Sequence, residues 1–446
     1  MFPEAFIKRL RSDLGITEAN ALLETLQSPP PVTIRINPRK IKDAWKELAL
    51  PIAAPLDISE YGFLLSQRPV FTNDPLFQSG CYYVQESSSM VLEHYFSYAD
   101  IHPDKEFNVL DLCAAPGGKS THLLSLLHGI PGAMLVSNEV IHSRVTILAD
   151  NLSRWGDSNV VVTHNDPSDF GKLKHFFDVI LIDAPCSGEG MFRKDAGAVA
   201  EWSEDNVTRC AARQRRIISD AIESLKPGGL LIYSTCTFNH FENEDNTKWT
   251  ASEFGMEILE QEHLYPGKAY GEGLFMAALR MKGTSSKNFI SEITRKSVTK
   301  PYYKAEIPFL REKFIPISKG NLLKAYPSDC LDRMFFIESK LKTIRSASSI
   351  ATILTDRNGK TTLIPEPDLA FSEVLKRNIF PEVELTYNDI SRFLRCETMT
   401  FHDSPKGYLL LTYLGHPVGF VKNIGSRANN LWPVSRRVRL SHIIDE

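Results

Sequence analysis

Asp178-Val-Ile-Leu-Ile-Asp-Ala-Pro-Cys-Ser-Gly188 is the stretch whose reading decides the fold. Its first half is a short apolar run rich in β-branched residues and bounded by polar residues. That is the pattern of a strand buried on both faces of a parallel sheet. Its second half sets a carboxylate, Asp183, and a thiol, Cys186, three residues apart on the turn leaving the strand. Open α/β sheets bind ligands at such C-terminal strand ends. Pro185 fixes its own φ and restricts Ala184, so the turn is stiff and its two side chains are aimed. Taken alone, the stretch favours a strand end with an incidental cysteine. The flanking sequence has to decide.

On both sides of this stretch, strands alternate with helices. Strand patterns occupy Asn108–Leu112, Ala133–Ser137, Val160–Thr163, Val179–Ile182 and Gly229–Tyr233, with two more at 256–262 and Leu274–Met281. Helical patterns fill 118–128, 141–155 and 206–225, and a further helix is expected at 86–97. The 206–225 helix carries Ile217, Ile218, Ala221, Ile222 and Leu225 on one side and stops at Lys226-Pro-Gly-Gly229. Seven strands with crossover helices predict an α/β fold with a right-handed, doubly wound sheet.

Upstream, residues 1–30 read as two short helices, with Gly15 stopping the first and Thr17 capping the second. Pro29-Pro-Pro31 is a hard break before the alternating strand Val32–Asn37, so 1–80 is expected to be a small α+β domain. Downstream, 283–325 has little periodicity and many Lys and Ser, which predicts an extended basic linker. A helix over 326–346 and hairpins at 350–364 and 407–422 then predict a β-rich C-terminal region.

Composition bounds the function. Apolar content of 43% and charged content of 24% over 446 residues are ordinary for a globular protein. No apolar run approaches the roughly 18 residues of a membrane span, and the N-terminus lacks a signal-peptide pattern. The seven Cys are scattered without a C-x-x-C, which argues against a disulfide framework or a structural metal and for a reducing, cytoplasmic setting. The net charge of −3 hides a local surplus: 282–345 holds 14 Lys/Arg against 6 Asp/Glu, or +8, and Arg427, Arg436, Arg437 and Arg439 follow. That distribution suits either a polyanionic partner or a solvated linker.

The sequence Asp111-Leu-Cys-Ala-Ala-Pro-Gly-Gly-Lys-Ser120 joins a buried strand to a helix, where backbone amides and a helix N-terminus meet a nucleotide-like ligand. It lacks G-x-G-x-x-G, and a P-loop would need glycine at Cys113. Gly117 and Gly118 permit close backbone approach. Glu139, ending the second strand, is placed for both hydroxyls of a ribose, and Asp166, after the third, for an adenine amino group. Together these suggest S-adenosylmethionine. A second thiol, Cys236, ends the fifth strand in Tyr233-Ser-Thr-Cys236-Thr. The ends of strands one, four and five adjoin in such a sheet, so Lys119, Asp183, Cys186 and Cys236 are expected to converge. Two thiols, an acid and a methyl donor fit methylation at carbon 5 of a pyrimidine. That carbon becomes nucleophilic only after a thiolate adds to carbon 6.

Cys113-Ala-Ala-Pro-Gly-Gly-Lys119, Asp183-Ala-Pro-Cys186-Ser-Gly and Tyr233-Ser-Thr-Cys236-Thr together resemble the Sun/RsmF family of RNA cytosine-5 methyltransferases. Gln85–Met90 is similar to that family's entry into the catalytic domain, and Ile34-Arg-Ile-Asn-Pro38 to its N-terminal motif. Leu363-Ile-Pro-Glu366 and Arg427–Pro433 are similar to its PUA-like RNA-binding extension.

The resemblance implies a Rossmann-like methyltransferase domain over 81–282, an RRM-like RNA-binding domain over 1–80, and a PUA-like region over 326–446. It implies Cys236 as nucleophile, Cys186 as the thiol assisting product release, and Asp183 on ring nitrogen 3 with Lys119 nearby. Cys113, Ala114, Ala115, Pro116, Gly117, Gly118, Lys119, Glu139, Asp166 and Asp183 would hold S-adenosylmethionine. A Pro-Cys thiol attacks in the DNA enzymes, which would make Cys186 the attacker; the second thiol argues for RNA.

The expected substrate is ribosomal RNA of the small subunit. The same chemistry on transfer RNA, and a non-catalytic RNA-binding assembly factor, stand as alternatives. A monomer with no obligate protein partner is expected. Cys113, Cys210 and Trp432 are read as packing residues. Residues 283–346 and the C-terminal arginines are expected to bind phosphates, and removal of 283–446 to weaken RNA binding while S-adenosylmethionine binding survives.

Overall fold

A computed structural model describes residues 2–102, 105–268, 271–283, 302–303 and 305–439. The chain begins as a helical hairpin, Glu4–Leu14 and Ile16–Thr25, turned at Gly15 with φ 80°. Gly15 itself caps the second helix without a side-chain bond, so Thr17 does not have the predicted role. Phe6, Leu10, Leu22 and Leu23 leave solvent by packing on Phe192, Trp202 and Phe238, which belong to loops of the central domain.

Strands β1 (Val32–Ile36), β2 (Ile52–Pro55), β3 (Gly62–Leu65) and β4 (Tyr82–Val84) form an antiparallel sheet in the order β2-β3-β1-β4. Arg35 of β1 is fully buried and turned away from its own sheet. It donates to Gln85 Oε1 at 2.7 Å, to Thr121 Oγ1 at 2.6 Å and to Ser125 Oγ at 3.1 Å, and lies 4.7 Å from the Trp155 ring. Burial lowers the Arg35 guanidinium to about 9.

The seven predicted strands of the central domain are all present: β5 (Phe107–Asp111), β6 (Ala133–Asn138), β7 (Val160–Thr163), β8 (Phe177–Asp183), β9 (Leu225–Thr235), β10 (Met256–Leu264) and β11 (Leu274–Met281). Their order is β10-β11-β9-β8-β5-β6-β7. Of these seven, β10, β9, β8, β5, β6 and β7 share one direction, and β11, lying between β10 and β9, runs antiparallel to both neighbours. Two apolar layers, one per face, cover the parallel strands, which accounts for their near-continuous hydrophobicity. Strand order reverses about β5, so the crevice of the sheet opens where β5 and β8 end. The predicted 86–97 helix is shorter, a 3-10 turn Ser88–Val91 continued by Leu92–Phe96.

The basic linker predicted over 283–325 needs correction; residues 284–301 and 304 lie outside the described residues. From 314 the stretch is folded, as β12 (Phe314–Lys319) and β13 (Leu322–Pro327). Phe314, Ile317, Leu323 and Ala325 are buried, but Pro316 and partly buried Lys324 interrupt the apolar pattern, which hid the two strands. The helix predicted over 326–346 covers only Leu331–Lys340. Beyond it, β14 (Thr343–Ser346) joins β7 antiparallel as an eighth strand of the central sheet. Arg333 is buried against that domain, donating to Asn108 Oδ1 at 2.6 Å. Removing 283–446 would therefore strip a sheet edge, so the truncation is not a clean test of RNA binding.

The C-terminal part adds β15 (Ser348–Thr355), β16 (Thr361–Pro365), β17 (Glu382–Glu384), β18 (Gly407–Tyr413), β19 (His416–Asn423) and β20 (Ala428–Asn430) in two four-stranded sheets. Both predicted hairpins form. Trp432 is core, packed on Phe393 and Phe371. Arg436 is not free to meet phosphates: it pairs with Asp150 and Asp368. Among the described residues no helix is long and apolar enough to cross a membrane.

Asp111 closes β5 with no exposed surface. One oxygen accepts from Ser120 Oγ at 2.6 Å, the other has no partner among the described residues, and burial raises the carboxyl to about 7.

Two stability predictions follow from these buried groups. Arg35→Met should lower the denaturation midpoint by the equivalent of about 3 kcal/mol, because four acceptors in the seam lose their donor. Arg35→Lys should recover less than half, since an ammonium cannot reproduce the guanidinium fork. Asp111 binds its proton more tightly folded than unfolded, so its contribution is full below pH 4 and is lost as pH rises through 7. Asp111→Asn should gain stability relative to the parent across that window, by up to about 4 kcal/mol. Urea titrations at pH 5 and pH 8 read the difference.

Candidate active site

The site forms where β5, β8 and β9 end side by side. Asp183 is the last residue of β8 and is paired in register with Ser234 of β9. Ser234 Oγ donates to Asp183 Oδ1 at 2.7 Å. On the other side the Lys119 ammonium lies 2.8 Å from Asp183 Oδ2. Lys119 comes from the first turn of the Gly118–Leu126 helix, entered through Gly117 at φ 114°, where a Cβ would press on Leu148 at 3.2 Å. Burial pulls the Lys119 ammonium down, but the charge of Asp183 and their hydrogen bond outweigh it and the net shift is upward. The ammonium is therefore fixed as a cation beside a half-exposed carboxylate.

Cys186 and Cys236 leave β8 and β9 on adjacent turns, and their sulfurs are 3.2 Å apart. The hydrogen bond to Cys236, then burial, push the Cys186 thiol well above the ordinary range. Either sulfur of the pair can donate its S–H to the other. The four residues expected to converge do so.

The donor loop is fixed from behind by groups that the sequence reading missed. Ala114 N–H donates to Asn138 O, Arg144 Nη2 to Ala115 O at 2.6 Å, and Asn151 Nδ2 to Pro116 O at 2.8 Å. Arg144 and Asn151 are one face of the His142–Trp155 helix, seven residues apart, and that spacing was the available signal. Cys113 packs partly against the core, as expected. Glu139 ends up buried after β6, accepting from Ile141 N–H at 2.9 Å with Arg144 at 3.7 Å. Asp166 is exposed after β7. The backbone and side chain of Ser168 donate to it and hold its carboxyl below the usual range. Asp111, Glu139, Asp166 and Asp183 thus stand at or just beyond the ends of four neighbouring strands. An acid-rich crevice with a partnerless buried oxygen at Asp111 suits a ligand that presents amino and hydroxyl donors.

The two thiol turns share a further polar layer. Glu242 Oε2 accepts from Ser187 N–H at 3.0 Å and from Gln214 Nε2 at 2.7 Å, and Glu242 Oε1 accepts from Asn239 Nδ2 at 2.8 Å. Gln214 also donates to Pro185 O at 3.1 Å. A polar residue between Cys210 and Ile217 on the buried face of the Glu204–Ala221 helix was its only sequence mark.

Family profiles match three stretches of the chain: 16S rRNA methyltransferase RsmB/F over 99–280, the N-terminal domain of 16S rRNA methyltransferase RsmF over 2–87, and the methyltransferase RsmF PUA domain over 380–438. The ribosomal RNA small subunit methyltransferase F of Escherichia coli strain SE11 is 31% identical over 467 residues, covering 97% of this chain and 96% of that one. The protein of the same name from Pectobacterium atrosepticum is 39% identical over 285 residues, 58% of each chain. Among solved structures, a methyltransferase homolog protein from Pyrococcus horikoshii superposes with a TM-score of 0.55 at 29% identity, over 63% of this chain and 95% of that one. NSun6 from the same organism, solved with SFG, shares the fold at a TM-score of 0.54 and 22% identity, over 64% and 99%. With a relative matched end to end and family profiles over its N-terminal, central and C-terminal parts, the chain belongs to the ribosomal RNA small subunit methyltransferase F family.

Proposed function

We propose that this protein methylates carbon 5 of a cytosine in small-subunit ribosomal RNA through a covalent Cys236 adduct. S-adenosylmethionine supplies the methyl group. The observation that carries the reading is the pair of sulfurs 3.2 Å apart, beside an acid held by Ser234 and Lys119.

Asp183 has the geometry of a base-recognition group. Its carboxyl is fixed by one neutral and one cationic donor and stays partly exposed, so a proton held between it and ring nitrogen 3, itself an acceptor, joins it to a cytosine presented to the crevice. Cys236 adds to carbon 6, and the displaced electron pair makes carbon 5 nucleophilic, the proton held between Asp183 and nitrogen 3 neutralising the negative charge that develops there. After methylation a base takes the carbon 5 proton, the double bond re-forms and the Cys236 sulfur leaves as thiolate. Cys186 assists that departure by donating its S–H to the sulfur 3.2 Å away. Cys113 through Lys119 with Glu139, Asp166 and Asp183 hold the donor, the carboxylates taking its amino and hydroxyl groups. RNA is the partner, and the exposed Arg427, Arg437 and Arg439 are the C-terminal cations left to meet it, since Arg436 is committed to ion pairs.

RNA containing 5-fluorocytidine should trap the parent and Cys186→Ala as covalent complexes, and Cys236→Ala should form none. A Cys236→Ala protein that still traps RNA, with Cys186→Ala unable to, would assign attack to Cys186 instead. Turnover should fall by about 10³-fold or more in Cys236→Ala and by about 10²-fold in Asp183→Asn, measured as tritium transfer to ribosomal RNA. Transfer confined to transfer RNA, or no transfer with RNA binding intact, would replace this reading.

A further inference from the structure

We propose that Glu242 is the positioning residue of the two-thiol site, a buried carboxylate that grips both cysteine turns and biases the proton shared by the sulfurs toward Cys186. The inference rests on the two-thiol chemistry above. Glu242 has no exposed surface and lies six residues beyond Cys236. Ser187 N–H, next to Cys186, and Gln214 donate to one oxygen, and Asn239, three beyond Cys236, to the other. Burial raises the Glu242 carboxyl, and the bonds from Ser187, Asn239 and Gln214 pull it back down, favouring the ionised acceptor. Its backbone is held too. Glu242 N–H donates to Asn239 Oδ1 at 2.9 Å, and Tyr233 Oη donates to Glu242 O at 2.6 Å. A bond from Ser187 Oγ to Thr237 Oγ1 at 2.8 Å ties the same two turns together.

This clamp does two things. It sets the distance between the turns, and with it the sulfur separation. It also places one uncompensated negative charge behind Cys186. The other charged groups around the pair are already matched: Lys119 with Asp183 on the far side of Cys236, and Glu189 with Arg9 on the Cys186 turn. Tyr233 stays protonated, since burial raises its hydroxyl far above neutral. Negative charge at Glu242 disfavours a thiolate at Cys186 and adds to the upward pressure of the hydrogen bond and burial there. The proton stays on Cys186, and Cys236 is left as the sulfur that ionises and attacks.

The test needs no substrate. Initial rates of iodoacetamide alkylation at each cysteine of the full chain, resolved by mass spectrometry from pH 6 to 10, should show Cys236 reacting first and Cys186 lagging. Cys186 reacting first at pH 7 would overturn the inference. In Glu242→Gln both limbs of the methylation pH profile should move to lower pH by about one unit, with S-adenosylmethionine affinity unchanged. Glu242→Asp, which keeps the charge, should retain the parent's limbs at reduced kcat. Lower activity with unmoved limbs in Glu242→Gln would reduce Glu242 to a structural prop. Should Glu242→Gln fail to bind S-adenosylmethionine, the alkylation order of the parent and the limbs of Glu242→Asp decide. A parent that methylates no RNA would sink the proposed function and leave the alkylation order readable. A parent that methylates with the order reversed would sink only the role of Glu242.

Discussion

The C-terminus of the His142–Trp155 helix is the constraint on which the rest of the molecule hangs. The last carbonyls of a helix lack intrahelical partners and must find donors elsewhere. Here the Arg154 carbonyl accepts from Lys40 Nζ at 2.7 Å, and the Trp155 carbonyl from Arg39 Nη2 at 2.7 Å and Asn37 Nδ2 at 3.0 Å, all from the turn after β1. Gly80 lies so close that a Cβ would stand 2.0 Å from the Arg154 carbonyl oxygen. On the other side Glu373 N–H donates to the Gly156 carbonyl at 2.9 Å. One helix end therefore joins the N-terminal sheet, the central domain and the C-terminal region. The same helix, through Arg144 and Asn151, fixes the donor loop, so the joint between domains and the floor of the cofactor crevice are one rigid object.

The two cysteine-bearing turns depend on parts from several segments of the chain. The turns after β8 and β9 carry few apolar residues of their own, and polar loops hold a fixed shape only when their backbone groups are paired. Glu242, Gln214 and Asn239 supply that pairing beneath them, and Glu189 does so above, accepting from Phe238 N–H at 2.8 Å and from Trp202 Nε1 at 2.9 Å. Arg9 of the first helix completes the Glu189 cluster, so the N-terminal helical hairpin is part of the wall around the thiols. The two sulfurs at 3.2 Å are kept from drifting by four segments far apart in sequence.

The C-terminal region is built into the catalytic domain. β14 covers the edge of β7, which would otherwise present unpaired backbone groups, and Arg333 fills the gap beneath with a buried guanidinium whose two terminal nitrogens donate to Asn108 and to the Gly132 carbonyl. Part of the basic surplus that suggests a polyanion surface is spent on this joint. Arg333 and Arg345 are buried, and burial lowers Lys324 to about 8. Local charge counts overstate phosphate-binding capacity wherever cations serve as interdomain pins.

The sequence alone determined the seven strands, their crossovers and the convergence of Lys119, Asp183, Cys186 and Cys236, because short continuous apolar runs alternating with helices and right-handed connections leave few ways to order them. It also carried the family resemblance, since the loop and the two cysteine turns are contiguous motifs. Tertiary structure alone decided what lies between distant segments. The eighth strand was hidden because its partner β7 is some 180 residues away. The roles of Gln214 and Glu242 were hidden because a buried polar side chain looks, in sequence, like any solvated one, and that of Arg144 because its acceptor, the Ala115 carbonyl, is 29 residues away. Even Asp178–Gly188 fixed only where two side chains point. Which sulfur of the pair keeps its proton depends on Cys236 fifty residues on and on a carboxylate behind both, and that electrostatic arrangement exists only once the chain has folded.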